Sequence, residues 1–212
     1  MELIDFILHV DRHLTEFVAA NGAWIYGLLF LIVFVETGLV VMPFLPGDSL
    51  LFAAGAIAAT GGMDPFLMGG LMFVAAVLGD TVNYQVGHYI GPRVFEMQSR
   101  WIKREYLLKT QAFFEKHGGK TVIIARFMPF ARTFAPFVAG VGAMRYPRFL
   151  AYNVIGAALW VASFVTLGYF FGNLPTVKEN FTLVIFGIIG ISVLPGVIEY
   201  LRHKLAEKKQ QA

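Results

Sequence analysis

Four ionisable residues interrupt apolar stretches of this sequence, and they form two groups of opposite charge. Glu36 and Asp48 flank a proline- and glycine-rich break at 43–47, whereas Arg126 and Arg132 lie in a later apolar run that also contains prolines. A charged side chain at the bilayer centre costs on the order of 2.5–3.5 kcal/mol even on insertion scales, so such residues usually serve a function. Guanidinium groups bind phosphate, and carboxylates pair with guanidinium or take up protons. The pattern predicts an acidic broken segment facing a basic one.

Each of these charges also has a purely structural interpretation. Asp48 precedes an apolar helix and would cap its N-terminus. Arg132 would satisfy carbonyl groups freed by Pro136, and Arg126 would extend its charged end towards the basic side of the membrane. Glu36 lies in the middle of an apolar run, where no cap is needed. Because a buried set of paired charges often gains nothing over apolar packing, stability alone is a weak reason to keep all four.

The composition around these residues is that of an integral membrane protein. Of 212 residues, 57% are apolar and 15% are charged, whereas soluble domains carry roughly 25% charged residues. Full spans are predicted over 66–90, 149–171 and 182–200, because crossing the hydrocarbon core takes roughly 20 apolar residues. The length fits one membrane domain over 1–212. The absence of cysteine excludes disulfides and thiolate chemistry.

Two further apolar blocks are too interrupted to be ordinary spans. The arm that follows the break at 43–47 has roughly a dozen apolar residues, too few at about 1.5 Å each to cross about 30 Å of hydrocarbon. The second block, 121–143, is interrupted by Pro129 and Pro136. Irregular backbone survives at membrane depth where it is buried in protein or lines a wet cavity. We therefore predict two re-entrant broken-helix hairpins in an all-α membrane protein.

The order of segments occurs twice. An amphipathic interfacial helix, a broken block and a full span follow one another over 2–90 and again over 101–171, the first amphipathic helix covering 2–21 and ending at an Asn-Gly pair. An odd number of spans in the first unit inverts the second, and inverted repeats with broken helices indicate a transporter binding site. Basic loops and the basic tail, 201–212, predict a cytoplasmic C-terminus and an N-terminus on the outer face.

Enzymatic and metal-binding interpretations find little support. His9 and His13 have metal-type spacing, but they lie on the predicted surface helix. The sequence contains no zinc-protease motif, nucleophile elbow or phosphate-binding loop. We therefore expect no enzyme activity, no metal, no cofactor and no nucleic-acid partner. Asp80 and His88, eight residues apart on the span 66–90, are weaker site candidates, with packing near the lipid headgroups as the alternative.

Four motifs together extend over most of these segments. They are FVETGLVVMPFLPGDSLL at 34–51, GDTVNYQVG at 79–87, HGGKTVIIARFMPFARTFAPFVAG at 117–140 and NVIGAALW at 153–160. The set resembles the DedA family, the bacterial branch of the VTT-domain membrane proteins. His88 stands where an arginine often follows the Asn-Tyr motif of that family.

The resemblance implies a fold, a function and a set of residues. It implies paired re-entrant hairpins in an inverted repeat, and lipid translocation driven by the proton-motive force. Eukaryotic relatives resemble phospholipid scramblases, and some bacterial relatives return undecaprenyl phosphate to the cytoplasmic face. The family's proposed essential acids and arginines match Glu36, Asp48, Arg126 and Arg132. Secondary site candidates are three residues of the matching motifs, Asp80, Asn83 and Asn153. His88, which directly follows the motif at 79–87, is a further candidate.

Together these observations predict a proton-coupled carrier for an anionic lipid such as undecaprenyl phosphate, in the bacterial inner membrane. Arg126 and Arg132 would bind the phosphate, while Glu36 and Asp48 would neutralise the arginines in the empty state and take up protons in the loaded state. Three alternatives stay open: a less selective phospholipid scramblase, a proton-coupled exporter of small molecules, and a scaffold without transport. The expected partners are a membrane lipid, protons and a second copy of the chain.

Overall fold

The computed structural model describes residues 10–39, 47–91, 104–128 and 131–179. All regular elements in these ranges are helices, which confirms the prediction of an all-α protein. In chain order the α-helices are α1 Val10–Gly38, α2 Gly47–Ala59, α3 Pro65–Ile90, α4 Arg104–His117, α5 Thr121–Ala125, α6 Ala131–Val138, α7 Tyr146–Gly172 and α8 Pro175–Glu179. A 3-10 turn, Gly118–Lys120, follows α4, and a π-helical turn, Ala139–Ala143, follows α6.

Two of the three predicted spans are present as long apolar helices, α3 and α7. Only 33% and 28% of the residues in their most apolar stretches are buried. The core helix of a soluble protein would be mostly buried, so these exposed apolar faces are suited to lipid. The predicted span 182–200 and the basic tail 201–212 lie outside the described residues.

The predicted end of the first amphipathic helix is wrong. The Asn21-Gly22 pair was expected to stop a helix, but α1 continues through it to Gly38. A glycine inside a helix costs only about 1 kcal/mol, and the apolar residues that follow continue the helical pattern. The start of the predicted helix, residues 2–9, lies outside the described residues.

Both apolar blocks are divided between separate helices, as the sequence predicted, although Pro136 does not end a helix. In the first, α1 ends at Gly38 and α2 begins at Gly47, with 40–46 outside the described residues. In the second, α5 and α6 are short, and the π-helical turn closes at Gly142, whose φ of 145° favours glycine. Pro136 lies within α6, where it cannot donate a backbone hydrogen bond. The re-entrant course of the blocks and the inverted repeat stay predictions.

The chain divides into two compact units, each with its own packing. The described part of the first unit is 10–22, 47–64 and 164–179. Here α2 packs against the last turns of α7, since Gly55 and Gly168 each lie too close to the facing backbone for a Cβ. The rings of Phe52 and Phe171 add an aromatic contact with centroids 5.4 Å apart. Small residues thus let these two helices approach closely.

The described part of the second unit is 23–39, 65–91, 104–128 and 131–163. Its central element is α3, which contacts α1 at Gly79 and α6 at Gly87, both too close to the facing backbone for a side chain. These contacts bring the middle of α3 beside the end of α1 and beside the second broken block. Its apolar core consists of Tyr84, Phe114, Val122, Ala125, Phe134, Ala135, Phe137, Val138, Ala139, Val141 and Phe149.

Candidate functional site

The first ion pair of the second unit joins Arg126 to Asp80. Arg126 follows the last residue of α5, and its Nη2 atom donates to the Asp80 carboxylate on α3. The same nitrogen donates to Oδ1 of Asn153 at 2.5 Å and lies 3.4 Å from the Ala76 carbonyl oxygen. The Arg126 and Asp80 side chains are only 5% and 4% exposed. This arginine is thus held by α3 and α7 together.

The second ion pair joins Arg132 to Glu36. Arg132 lies in the first turn of α6, and its Nη2 atom donates to Oε1 of Glu36 in the last turn of α1. Glu36 is 2% exposed, whereas the Arg132 side chain is 13% exposed. Arg132 is therefore more accessible to solvent than Arg126.

Asn83 on α3 connects the two segments that carry the second pair. Its Nδ2 group donates to the carbonyl oxygens of Thr133 at 2.8 Å and Thr37 at 3.2 Å. These two residues directly follow Arg132 and Glu36, so Asn83 fixes the backbone beside each charge. Its Oδ1 atom is buried and has no hydrogen-bond partner among the described residues.

Trp160 on α7 lies near both guanidinium groups. Its ring centroid is 5.8 Å from Cζ of Arg126 and 6.0 Å from Cζ of Arg132. At such distances the negative face of an indole ring attracts a cation. Asn153, Gly156 and Trp160 share one face of α7 because they are spaced three and four residues apart. Gly156 leaves room for the arginine, since a Cβ at this position would lie 3.2 Å from Cδ of Arg126.

These groups enclose one small cavity. Its volume of about 10 Å³ is close to the space that a single water molecule requires. A phosphate group does not fit into it, so ligand binding here requires the walls to move apart. The two arginines and two carboxylates give the closed site no net formal charge. The cavity is lined by Glu36, Thr37, Asp80, Arg126, Arg132, Thr133 and Trp160.

The structure brings most of the predicted site residues together, with one change of partner. Arg126 was expected to pair with Glu36 or Asp48, but its carboxylate partner is Asp80. The interpretation of Arg126 as a residue reaching towards the membrane surface is wrong, because the side chain is buried. Asp48 belongs to the first unit, where it lies in the first turn of α2 and favours the start of that helix. His88 is exposed and lines a different cavity of the second unit.

Sequence reasoning missed Trp160 as a member of the site. A signal was available, because tryptophan is usually enriched at the membrane interface, whereas this one lies well inside the span α7. A buried indole also needs polar surroundings for its N–H group. The roles of the Thr37 and Thr133 carbonyl groups had no signal, since backbone acceptors are independent of residue type.

Comparison with known proteins places these features in a family. Residues 45–170 match the VTT domain. The chain is 59% identical over 207 residues to Protein DedA of Escherichia coli, covering 96% of this chain and 94% of that protein. It is 46% identical over 168 residues to an uncharacterized membrane protein of Mycobacterium leprae, covering 79% of this chain and 75% of that protein.

A third relative is the inner membrane protein YqjA of Escherichia coli. It is 38% identical over 152 residues, covering 71% of this chain and 69% of that protein. No solved structure matches the fold. Extensive identity to relatives named as membrane proteins agrees with the exposed apolar helices α3 and α7. The chain therefore belongs to the DedA family of VTT-domain membrane proteins.

Proposed function

We propose that this protein translocates an anionic lipid across the bacterial inner membrane in a proton-coupled cycle, with undecaprenyl phosphate as the favoured substrate. The observation that carries the proposal is the presence of two buried arginine–carboxylate pairs on one cavity of a membrane protein. Two guanidinium groups match a phosphate group, because each can donate two parallel hydrogen bonds to its oxygens. A cationic substrate would meet two positive charges at the same place.

Charge balance explains why protons enter the cycle. The empty site has two positive and two negative charges. When a phosphate dianion binds the arginines, the displaced carboxylates would be left ionised in a region of low dielectric, which is costly. Uptake of a proton by each restores neutrality, since desolvation favours the neutral acid once the guanidinium has left. The carboxylates that take up these protons are Glu36 and Asp80. Proton uptake by Asp48 stays a prediction from the sequence.

The second pair is the one that exchanges partners first in this scheme. The Arg132 side chain is 13% exposed, whereas the Arg126 side chain is only 5% exposed. Phosphate therefore reaches Arg132 first and displaces Glu36. Separation of α6 from α1 would then enlarge the cavity, while Arg126 keeps its position between α3 and α7.

The proposal includes a membrane arrangement. The two broken blocks form re-entrant hairpins of an inverted repeat, so that their charges meet near the middle of the bilayer. The protein is a multi-pass inner-membrane protein with a cytoplasmic C-terminus and its N-terminus on the outer face. It acts as a carrier and not as an enzyme, and copies of the chain form a homo-oligomer.

Transport by the purified protein in liposomes tests this function. A fluorescent polyprenyl phosphate and a fluorescent phosphatidylethanolamine would be followed separately, using a reductant that quenches only the outer leaflet. We expect faster movement of the polyprenyl phosphate, with further acceleration by a pH gradient. Arg132→Gln should abolish this movement, and Glu36→Gln should remove its response to the gradient.

Lys120→Gln is the matched control, because Lys120 is exposed and lies outside the charged cavity. Equal movement of both lipids without a gradient response would contradict the proposal and support a scramblase. Movement of neither lipid, together with proton-driven uptake of a soluble cation, would support an exporter. A folded protein with no transport at all would support a scaffold.

A further inference from the structure

The second unit has another, much larger cavity of about 750 Å³. It lies between the last turns of α3 and the segment that joins the π-helical turn to α7. This volume falls within the range of about 300–1,000 Å³ that is usual for small-molecule sites. The lining residues are Tyr84, Gln85, His88, Gly140, Gly142, Met144, Arg145, Tyr146 and Arg148.

The charged side chains of this cavity are basic. Arg145 directly precedes α7, and Arg148 lies in its first turn, and both are exposed. His88, in the last turn of α3, adds an imidazole. None of the described lining residues is acidic. The cavity therefore has positive charge that its own lining does not neutralise, in contrast to the charged cavity around Arg126.

The start of α7 adds to the attraction for anions. The positive end of a helix dipole lies at its N-terminus, where the first amide groups point outward. The α7 helix is 27 residues long, and its first residue, Tyr146, lines the cavity together with Arg148. Two guanidinium groups beside a helix N-terminus are a suitable arrangement for a phosphate group.

Aromatic packing holds the α3 side of the cavity against the start of α7. The Tyr84 ring lies with its centroid 4.5 Å from that of Phe149 and 5.4 Å from that of Tyr146. Its hydroxyl group donates to the Met144 carbonyl at 2.8 Å. Gly142 leaves open space beside this wall, since a Cβ there would have no neighbour within 4 Å. These contacts thus fix the shape of this side of the cavity.

We infer that this second cavity binds a phosphate monoester, the head of an anionic lipid, through Arg145 and Arg148. The choice of a lipid rests on the proposed function, whereas the phosphate chemistry follows from the cavity itself. Tyr84 in its wall directly follows Asn83, which fixes the Arg132–Glu36 pair. By the positive-inside rule these arginines are cytoplasmic, so the cavity is the headgroup site on that side of the membrane.

Calorimetric binding to the full-length protein in an uncharged detergent tests this inference. The titrants are short-chain phosphatidic acid, the phosphatidylcholine of the same chain length, and inorganic phosphate. We expect Arg145→Gln/Arg148→Gln to weaken phosphatidic acid binding at least tenfold. The matched control is Lys116→Gln/Lys120→Gln, which removes the same charge from exposed residues outside the cavity and should stay within twofold of the wild type.

Each further outcome has a defined meaning. Phosphatidic acid binding that is much tighter than that of inorganic phosphate supports a lipid headgroup as ligand, and equal binding of the two overturns the lipid assignment. Equal losses in both double variants, or no loss in Arg145→Gln/Arg148→Gln, overturn the site. Binding that depends on Arg145 and Arg148 in a protein without transport would contradict the proposed function alone.

Discussion

The two ion pairs of the second unit have the same chemistry but different surroundings. The Nη2 atom of Arg126 has three acceptors, contributed by α3 and α7, and the pair is almost fully buried. Arg132 meets Glu36 at the junction of α6 and α1, and its side chain is 13% exposed. The two positions also differ in their neighbours, since Asn153 bonds the first arginine directly, whereas Asn83 fixes the backbone beside the second.

This difference indicates a division of labour. A buried charge that loses its partner is left uncompensated, so a pair with several fixed acceptors is suited to holding helices in place. A pair whose arginine is partly accessible to solvent can exchange its partner at lower cost. We therefore propose that the Arg132–Glu36 pair opens first to the ligand, whereas the Arg126–Asp80 pair holds the helices of the site together until the phosphate reaches Arg126.

The largest expected effect comes from Asp80→Asn. This change leaves the Arg126 guanidinium buried without a carboxylate, and removing one partner of such a pair costs about 3–5 kcal/mol. Glu36→Gln should cost less, about 1–3 kcal/mol, because Arg132 is partly accessible to solvent. Thermal and denaturant unfolding of the purified variants in the same detergent would measure both. Equal losses of stability in the two variants would remove the distinction between the pairs.

The position of these charges could be predicted from the sequence, but their pairing could not. Glu36, Arg126 and Arg132 are conspicuous because a charge in an apolar run is costly. Arg126 and Asp80 lie 46 residues apart in the chain, and Arg132 and Glu36 lie 96 residues apart. Only the packing of α1, α3 and α6 brings the members of each pair together. No local pattern encodes that packing.

The importance of Asp80 is visible in the sequence only together with its neighbours on the same helix face. Asp80, Asn83 and Gly87 are spaced three and four residues apart, so they share one face of α3, and all three are buried. The opposite face carries exposed apolar residues such as Leu78 and Val82. A polar face on an otherwise apolar span indicates contact with other protein segments. That periodicity was readable in the sequence, whereas the identity of the facing residues was not.

The helices, like the site residues, could be predicted where a local sequence pattern determines them. The spans α3 and α7 were predictable because their apolar runs match the bilayer thickness. The continuation of α1 through Asn21-Gly22 was not, since that pair is only a weak stop signal and the residues beyond it decide the outcome. The division of both apolar blocks was indicated by the prolines and glycine at 43–47 and by Pro129, since these residues limit or permit particular backbone angles.

A smaller effect is expected when an arginine is replaced by lysine, and at Arg132 this effect falls on transport. Lysine keeps the charge but cannot donate two parallel hydrogen bonds to a phosphate group. We expect Arg132→Lys to lower the transport rate about tenfold, equivalent to about 1.4 kcal/mol, with unfolding close to that of the wild type. Arg126→Lys should instead lower stability, because its ammonium must replace a guanidinium held by α3 and α7. If Arg126→Lys lost transport at unchanged stability while Arg132→Lys retained it, the two assignments would be reversed.

The smallest expected effect concerns Trp160, whose ring lies at nearly the same distance from both guanidinium groups. Trp160→Phe keeps an aromatic ring with a weaker negative face, and a desolvated cation–π contact contributes about 0.5–2 kcal/mol. Double-mutant cycles that combine Trp160→Phe with Arg126→Gln or Arg132→Gln would measure each coupling from unfolding. We expect the Arg126 coupling to be the larger, because that guanidinium is more completely shielded from solvent and the contact gains strength with desolvation. Equal couplings would show that the two arginines experience one common environment, and their difference in burial would then not account for separate roles.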